Sequence, residues 1–207
     1  MTKEDCLFEL NYLKKEEERS GNSIIAMKRI ELGQTLAQHH PIEADLIVPI
    51  PETGILFAQG YALESKIAFA HAVLKKRPKI KTLFIDQRRK TINDIIIVIP
   101  ELIKGKRIIV IDETVISGLS LSMVLERLKE AKPKEIHVRV AAHPMIRKCP
   151  SNSFADSWSF MTGEDYRERF EIDSFEYLDP SILETFAKCV YCFGGRNNES
   201  KVVRIPA

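Results

Sequence analysis

Apolar, β-branched runs alternate along this chain with segments whose apolar residues recur every three or four positions. DLIVPIP (Asp45 to Pro51) reads as a short strand closed by proline, and ETGILFAQGYALES after it has helical period. KIAFAHAVL (Lys66 to Leu74) reads as a further strand, followed by the basic segment KKRPKIK. DIIIVIP and KRIIVID (Lys106 to Asp112) have the composition of buried strands. LSLSMVLERLKEAKPKE predicts an amphipathic helix from Leu121, with Leu121, Val124, Leu125 and Leu128 on one face and a Lys-Pro stop. EIHVRVAAHP (Glu135 to Pro144) is another strand. Strands alternating with helices predict an α/β fold, a mainly parallel sheet flanked by helices. The expected layout is a single domain over residues 1–207. Its core spans about residues 23–143, and the N-terminal segment and residues 144–207 form a hood or C-terminal cap. That last part is more irregular and aromatic and carries Trp158.

Composition narrows the function classes. Apolar residues make up 44% of the 207 and charged residues 29%, ordinary for a globular protein with a sizeable core. The 31 basic and 29 acidic groups leave a formal charge of +2, so nothing draws the chain to nucleic acid. No apolar run approaches the ~18 residues of a membrane span, and the N-terminus lacks the basic end and apolar centre of a signal peptide. A cytoplasmic location is expected. The histidines His39, His40, His71 and His143 fit core, cap or surface roles better than ligation.

The chemistry concentrates in VIDETVISGLSLS, Val110 to Ser122. A buried strand ends in two acids, Asp112 and Glu113, and a turn of small hydroxyl residues around Gly118 leads into a helix. In parallel sheets the ligand site lies beyond the carboxyl ends of the strands. At a helix start the backbone N–H groups lack intrahelical partners, and the helix dipole favours an anion. Taken alone, Ser-Gly-x-Ser is a commonplace helix cap. Placed after a buried strand and two acids, it reads as a phosphate cradle. The acids can accept from sugar hydroxyls and help hold hydrated Mg²⁺. Phosphate on one side and polyol on the other describes a phosphosugar.

This stretch resembles the phosphoribosyl pyrophosphate (PRPP) signature of type I phosphoribosyltransferases: apolar strand, two acids, then Ser/Thr-Gly-x-Ser/Thr. The wider chain resembles the phosphoribosyltransferase half of the amidophosphoribosyltransferases. ADLIVPIPETGILFAQGYA is similar to the segment carrying that family's pyrophosphate loop, and LKKRPKIKTLF to its flexible loop. CLFELNYL near the start and CVYCFGG near the end match further segments. The resemblance implies the type I phosphoribosyltransferase fold and displacement of pyrophosphate from PRPP, Mg²⁺ accompanying the PRPP. The glutaminase half is not expected here, so the amine would come from free ammonia or a separate glutaminase partner. A homo-oligomer is also expected.

The resemblance assigns residues. Thr114, Ser117, Gly118, Leu119 and Ser120 bind PRPP, the last four at its 5′-phosphate, while Asp112 and Glu113 take the ribose hydroxyls and metal. Glu52, Thr53 and Gly54 shape the pyrophosphate loop, Lys75 and Arg77 meet the leaving group, and Lys81 and Thr82 close over the site. By composition alone, Lys75 to Lys81 is a solvated basic loop.

Four cysteines remain: Cys6, Cys149, Cys189 and Cys192. In a reducing compartment they are not expected to form disulfides. A Cys-x-x-Cys with two distant thiols suits Zn²⁺ or a cubane cluster, and a redox pair with two core cysteines is the plainer alternative. One branch of the resembled family carries a structural [4Fe–4S] cluster on matching segments. The resemblance therefore implies a cluster on all four thiols, with Zn²⁺ as the alternative, stapling the N-terminal segment to the C-terminal tail.

Two departures weaken the match. The family's loop has Tyr-x-Gly-Arg where this chain has Pro78, Ile80 and Lys81, and its Arg-x-Lys-x-Asn aligns with Asn93, Ile95 and Ile97. Loss of charged donors from such a site typically removes several kcal/mol of transition-state stabilisation. The alternative is a module that binds PRPP or a nucleotide without turnover, with Arg29, Arg88 and Arg89 serving the nucleotide or a partner.

Overall fold

The computed structural model describes residues 6–76, 96–149, 160 and 165–195. A one-turn π-helix, Glu9–Leu13, precedes a small antiparallel hairpin of β1 (Arg19–Ser20) and β2 (Ser23–Ile24). The chain continues through α1 (Ile25–His39), β3 (Leu46–Pro49), α2 (Gly54–Ser65), β4 (Val73–Lys75) and β5 (Ile96–Val98). Then come α3 (Pro100–Ile103), β6 (Arg107–Asp112), α4 (Leu119–Glu130), β7 (Glu135–Val140), α5 (Tyr166–Phe170), β8 (Ser174–Tyr177) and α6 (Pro180–Leu183). A 3₁₀ turn, Tyr191–Phe193, follows. No helix among the described residues is long and apolar enough to cross a membrane.

The central sheet is parallel throughout, in the order β3-β6-β7-β8. Pro49 pairs with Ile111, and Ile111 with Arg139, so the carboxyl ends of β3, β6 and β7 come level. Helices cover both faces, which is why these strands are continuously apolar rather than alternating. Ile47, Ile109 and Ile111 pack into one core with Leu32, Leu36, Phe57 and Tyr61 from α1 and α2. Val48, Ile108 and Val110 face the other way, into a second core with Leu121, Val124, Leu125 and Leu128 of α4. The period-two alternation of the strand thus feeds two cores.

Helices α1 and α2 meet at backbone distance. A Cβ on Gly33 would stand 2.0 Å from the carbonyl oxygen of Phe57, and one on Gly60 would stand 1.9 Å from that of Ile30. Only glycine fits there.

Three expectations change. KIAFAHAVL is not one strand: Phe69 makes a single bridge to Ile47, the chain then turns, and Val73–Lys75 pairs antiparallel with β5 outside the main sheet. Its alternate positions are alanines, which give little side chain to pack along a sheet. The tail beyond residue 144 is not only a hood, since β8 extends the central sheet at its β7 edge. The N-terminal segment likewise belongs to the core, where Leu7, Phe8 and Leu10 are buried with Leu183, Val190 and Phe193.

Candidate functional site

Strand β6 delivers Asp112 to the carboxyl edge of the sheet, in register with Val140. The next main-chain link is Ala141 N–H donating to the Asp112 carbonyl at 3.0 Å. The Asp112 carboxylate turns back and accepts from the Glu113 amide at 3.0 Å. Asp112, Glu113 and Thr114 are all buried. Burial, then the charge of Glu113, pushes the Asp112 carboxyl well above its ordinary value. Two adjacent acids out of water are unfavourable unless something neutralises them, and a cation or a set of hydroxyl donors is the natural complement.

The turn after the acids is shaped by Gly118, whose φ of 71° is left-handed and favours glycine. This residue caps α4, so the helix begins at Leu119, two residues before the expected Leu121. Its first helical bond runs from Ser122 N–H to the Gly118 carbonyl at 2.8 Å. The Ser117 hydroxyl oxygen lies 3.5 Å from the Leu119 amide, a weak contact. The opening amides of α4 therefore lie at its start with the exposed Ser120 beside them.

The second expected loop sits against the same strand. Ile50 N–H donates to the Ile111 carbonyl at 2.9 Å, and Gly54 N–H donates to the Ile50 carbonyl at 3.0 Å. The Pro51–Glu52 peptide between them is cis. Glu52 is exposed and Thr53 half-buried, while Gly54 opens α2. The structure thus seats Ile50 and Gly54, the residues bounding the turn that holds Glu52 and Thr53, against Ile111, which precedes Asp112. Lys75 lies exposed at the end of β4, paired with Ile96. Arg77, Lys81 and Thr82 lie outside the described residues. Two surface hollows of about 280 and 580 Å³ lie elsewhere, one beside β5 and the far end of α4, the other at the ends of α1 and α2. Neither is lined by residues 112–120.

The four thiols also gather. Cys6 and Cys189 form a parallel β-bridge, fixed by Leu7 N–H donating to the Cys189 carbonyl at 3.0 Å. A hydrogen bond between their side chains raises the Cys6 pKa and draws that of Cys189 down to about 6. Cys192 is held up by its hydrogen bond with Cys149, and the charges of Cys149, Cys6 and Cys189 add to this. None of the four is in a disulfide. Among the described residues no three His, Cys, Asp or Glu groups are arranged to hold a metal ion. The thiols converge as two hydrogen-bonded pairs rather than around one point.

Two residues of this region take roles that their sequence positions did not suggest. Arg29, expected to serve a nucleotide or partner, is instead buried on α1, donating to the carbonyls of Leu10 at 3.0 Å and Lys14 at 2.8 Å. Its place in the Ile25, Leu32, Leu36 stripe is the signal that marks it as inward-facing. Asn11, fully buried, donates to the main-chain carbonyl of Glu113 at 3.5 Å. A polar residue among Leu7, Phe8 and Leu10 is the corresponding signal.

Comparison with known proteins assigns the chain to a family. The phosphoribosyl transferase domain family matches residues 20–160. The amidophosphoribosyltransferase of Mycobacterium leprae is 34% identical over 218 residues, covering 94% of this chain and 38% of that protein. That of Synechocystis is 27% identical over 206 residues, covering 92% and 41%. A solved structure of glutamine PRPP amidotransferase from B. subtilis, complexed with ADP and GMP, superposes with a TM-score of 0.80 at 20% identity, a likeness of fold. It covers 97% of this chain and 48% of that one, so the chain spans less than half the length of these relatives. The matched residues include both loops, strand β6 and the start of α4, on the type I phosphoribosyltransferase fold expected from the sequence. The chain belongs to the phosphoribosyl transferase domain family.

Proposed function

We propose that this chain binds PRPP across the carboxyl ends of β3 and β6 and catalyses displacement of its pyrophosphate by ammonia, forming phosphoribosylamine as a step of purine biosynthesis. The observation that carries this is the joining of both loops to one strand: the Ile50 amide bonds to Ile111, next to the buried Asp112. The amides around Gly118 to Ser120 take the 5′-phosphate, with Thr114 and Ser117 lining the turn. Asp112 and Glu113 take the ribose hydroxyls. Glu52, Thr53 and Gly54 hold the pyrophosphate, and Lys75 and Arg77 meet it as it leaves. Lys81 and Thr82 close over the sugar. Mg²⁺ arriving with PRPP neutralises pyrophosphate charge, and the buried acids fit a cation. The chain's own contribution is positioning and charge stabilisation. Ammonia comes free or from a separate glutaminase.

The cysteines suit a resident metal centre by their chemistry, four soft thiols, although the two pairs would have to draw together around it. Four thiols in two hydrogen-bonded pairs supply the soft donors that either a [4Fe–4S] cluster or Zn²⁺ takes, and the cluster is favoured by the family resemblance alone. Such a cluster would pin the first and last described segments together.

One observation favours a second reading. Ile97, in the place of a polar residue of the resembled family, is 37% exposed on β5. A PRPP or nucleotide sensor would not need the lost donors, and the B. subtilis relative was solved with two nucleotides bound. The test is to incubate anaerobically purified protein with PRPP, Mg²⁺ and ammonia and follow pyrophosphate. Ammonia-dependent release supports the enzyme. PRPP binding measured by calorimetry without release supports the sensor, and no binding at all overturns both.

A further inference from the structure

Among the described residues, three buried side-chain oxygens have no hydrogen-bond partner: Oδ1 of Asn11, Oε2 of Glu113 and Oγ1 of Thr114. Leaving such an atom unpaired out of water is unfavourable, and native folds leave few of them. These three are not scattered. Glu113 and Thr114 follow the acid strand directly, and Asn11 Nδ2 reaches the Glu113 carbonyl across 102 residues of sequence.

Asn11 is held from both sides. The Arg29 guanidinium donates to the carbonyls of Leu10 and Lys14, which flank it. Burial lowers the Arg29 pKa, while the carboxylates of Glu16 and Glu113 raise it, so Glu113 is near enough to be felt. An apolar side chain could fill the position of Asn11 with no polar group to satisfy. The amide instead spans to the peptide that links the two acids to the phosphate turn. At 3.5 Å it is a weak contact, longer than the roughly 2.7–3.2 Å of an ordinary N–H···O bond, and it has room to shorten when a ligand engages the acids.

We propose that Asn11 is a positioning residue for the acid pair: its amide fixes the main chain at Glu113 and thereby the aim of Asp112 and Glu113 at the ribose diol. The inference rests on reading residues 112–120 as the PRPP site. It makes the N-terminal segment, which also carries Cys6, part of the site's support.

The test compares wild type with Asn11→Leu, nearly isosteric and apolar, by calorimetry with ribose 5-phosphate and with 2-deoxyribose 5-phosphate. The expected result is about tenfold weaker binding of the ribose ligand, one hydrogen bond's worth. The deoxy ligand should change less than about twofold, and the melting temperature should hold or rise. A role in folding alone would weaken both ligands together. Equal effects on the two, or none on either, overturn the proposal. Wild type binding neither ligand would instead sink the reading of the site. Should the variant not fold, hydrogen exchange on wild type decides. Ribose 5-phosphate that protects residues 112–120 must also protect Leu10 and Asn11, and protection of the turn alone contradicts the proposal.

Discussion

Gly54 and Ile111 are in backbone contact: a Cβ on Gly54 would stand 2.7 Å from the carbonyl oxygen of Ile111. The start of α2 is therefore seated on the strand that carries Asp112, and the two candidate loops cannot be described separately. Gly54→Ala forces them apart. The expected outcome is a loss of about 1–3 kcal/mol in denaturant unfolding, as for other overpacked sites. PRPP affinity should fall at least about tenfold, because both ends of the ligand are then misplaced. Unchanged affinity would mean that the loop at 51–54 plays no part in binding.

Asp112 is expected to trade stability for binding. Its carboxyl is buried beside Glu113 and destabilised as an anion. Asp112→Asn removes one of the two facing charges with almost no change of shape. Unfolding free energy should rise by about 1–2 kcal/mol while PRPP affinity drops by about tenfold or more. A variant that is both less stable and equally tight would show that the acid serves the fold.

The cysteines give a prediction readable without enzyme activity. If a cluster joins the two thiol pairs, anaerobic protein is brown, and Cys192→Ser bleaches it. Hydrogen exchange should then quicken at residues 6–13 and 189–195, because Cys6 and Cys189 lose their shared covalent anchor and are left to main-chain bonding such as Leu7 N–H to the Cys189 carbonyl. Colourless protein with stoichiometric zinc selects the ion, and metal-free protein with unchanged exchange refutes the staple.

Gly60→Ala tests the scaffold apart from the site. The added methyl would meet the Ile30 carbonyl at 1.9 Å, so α1 and α2 must separate. We expect about 3 kcal/mol of destabilisation, measured by denaturant, with PRPP affinity of the folded fraction little changed.

The contrast between Val110 and Ala70 shows what a sequence can reveal. The β6 run RIIVID is β-branched and buried on both faces, so its strand and the acids at its end are legible from the residue pattern alone. Around Ala70 the alternation is real but the side chains are too small to fix a strand. The N-terminal segment reads as an appendage because nothing local says where Leu7 and Leu10 are buried; only the distant Val190 and Phe193 do. Asn11 stands out as a polar residue beside Leu7, Phe8 and Leu10, but its partner Glu113, far along the chain, is silent in the sequence for the same reason. Contacts between remote segments leave no period in a sequence, and the Asn11 contact behind the acids is one of these.

Everything turns on whether the residues at 117–120 hold a sugar's 5′-phosphate while Asp112 and Glu113 hold its ring. A crystal structure with ribose 5-phosphate at saturating concentration decides this. The phosphate is expected on the amides of Gly118 to Ser120, with the diol at the two carboxylates. A turn that stays empty while the ligand binds elsewhere, or a phosphate seated there with the acids facing away from the ring, would contradict it.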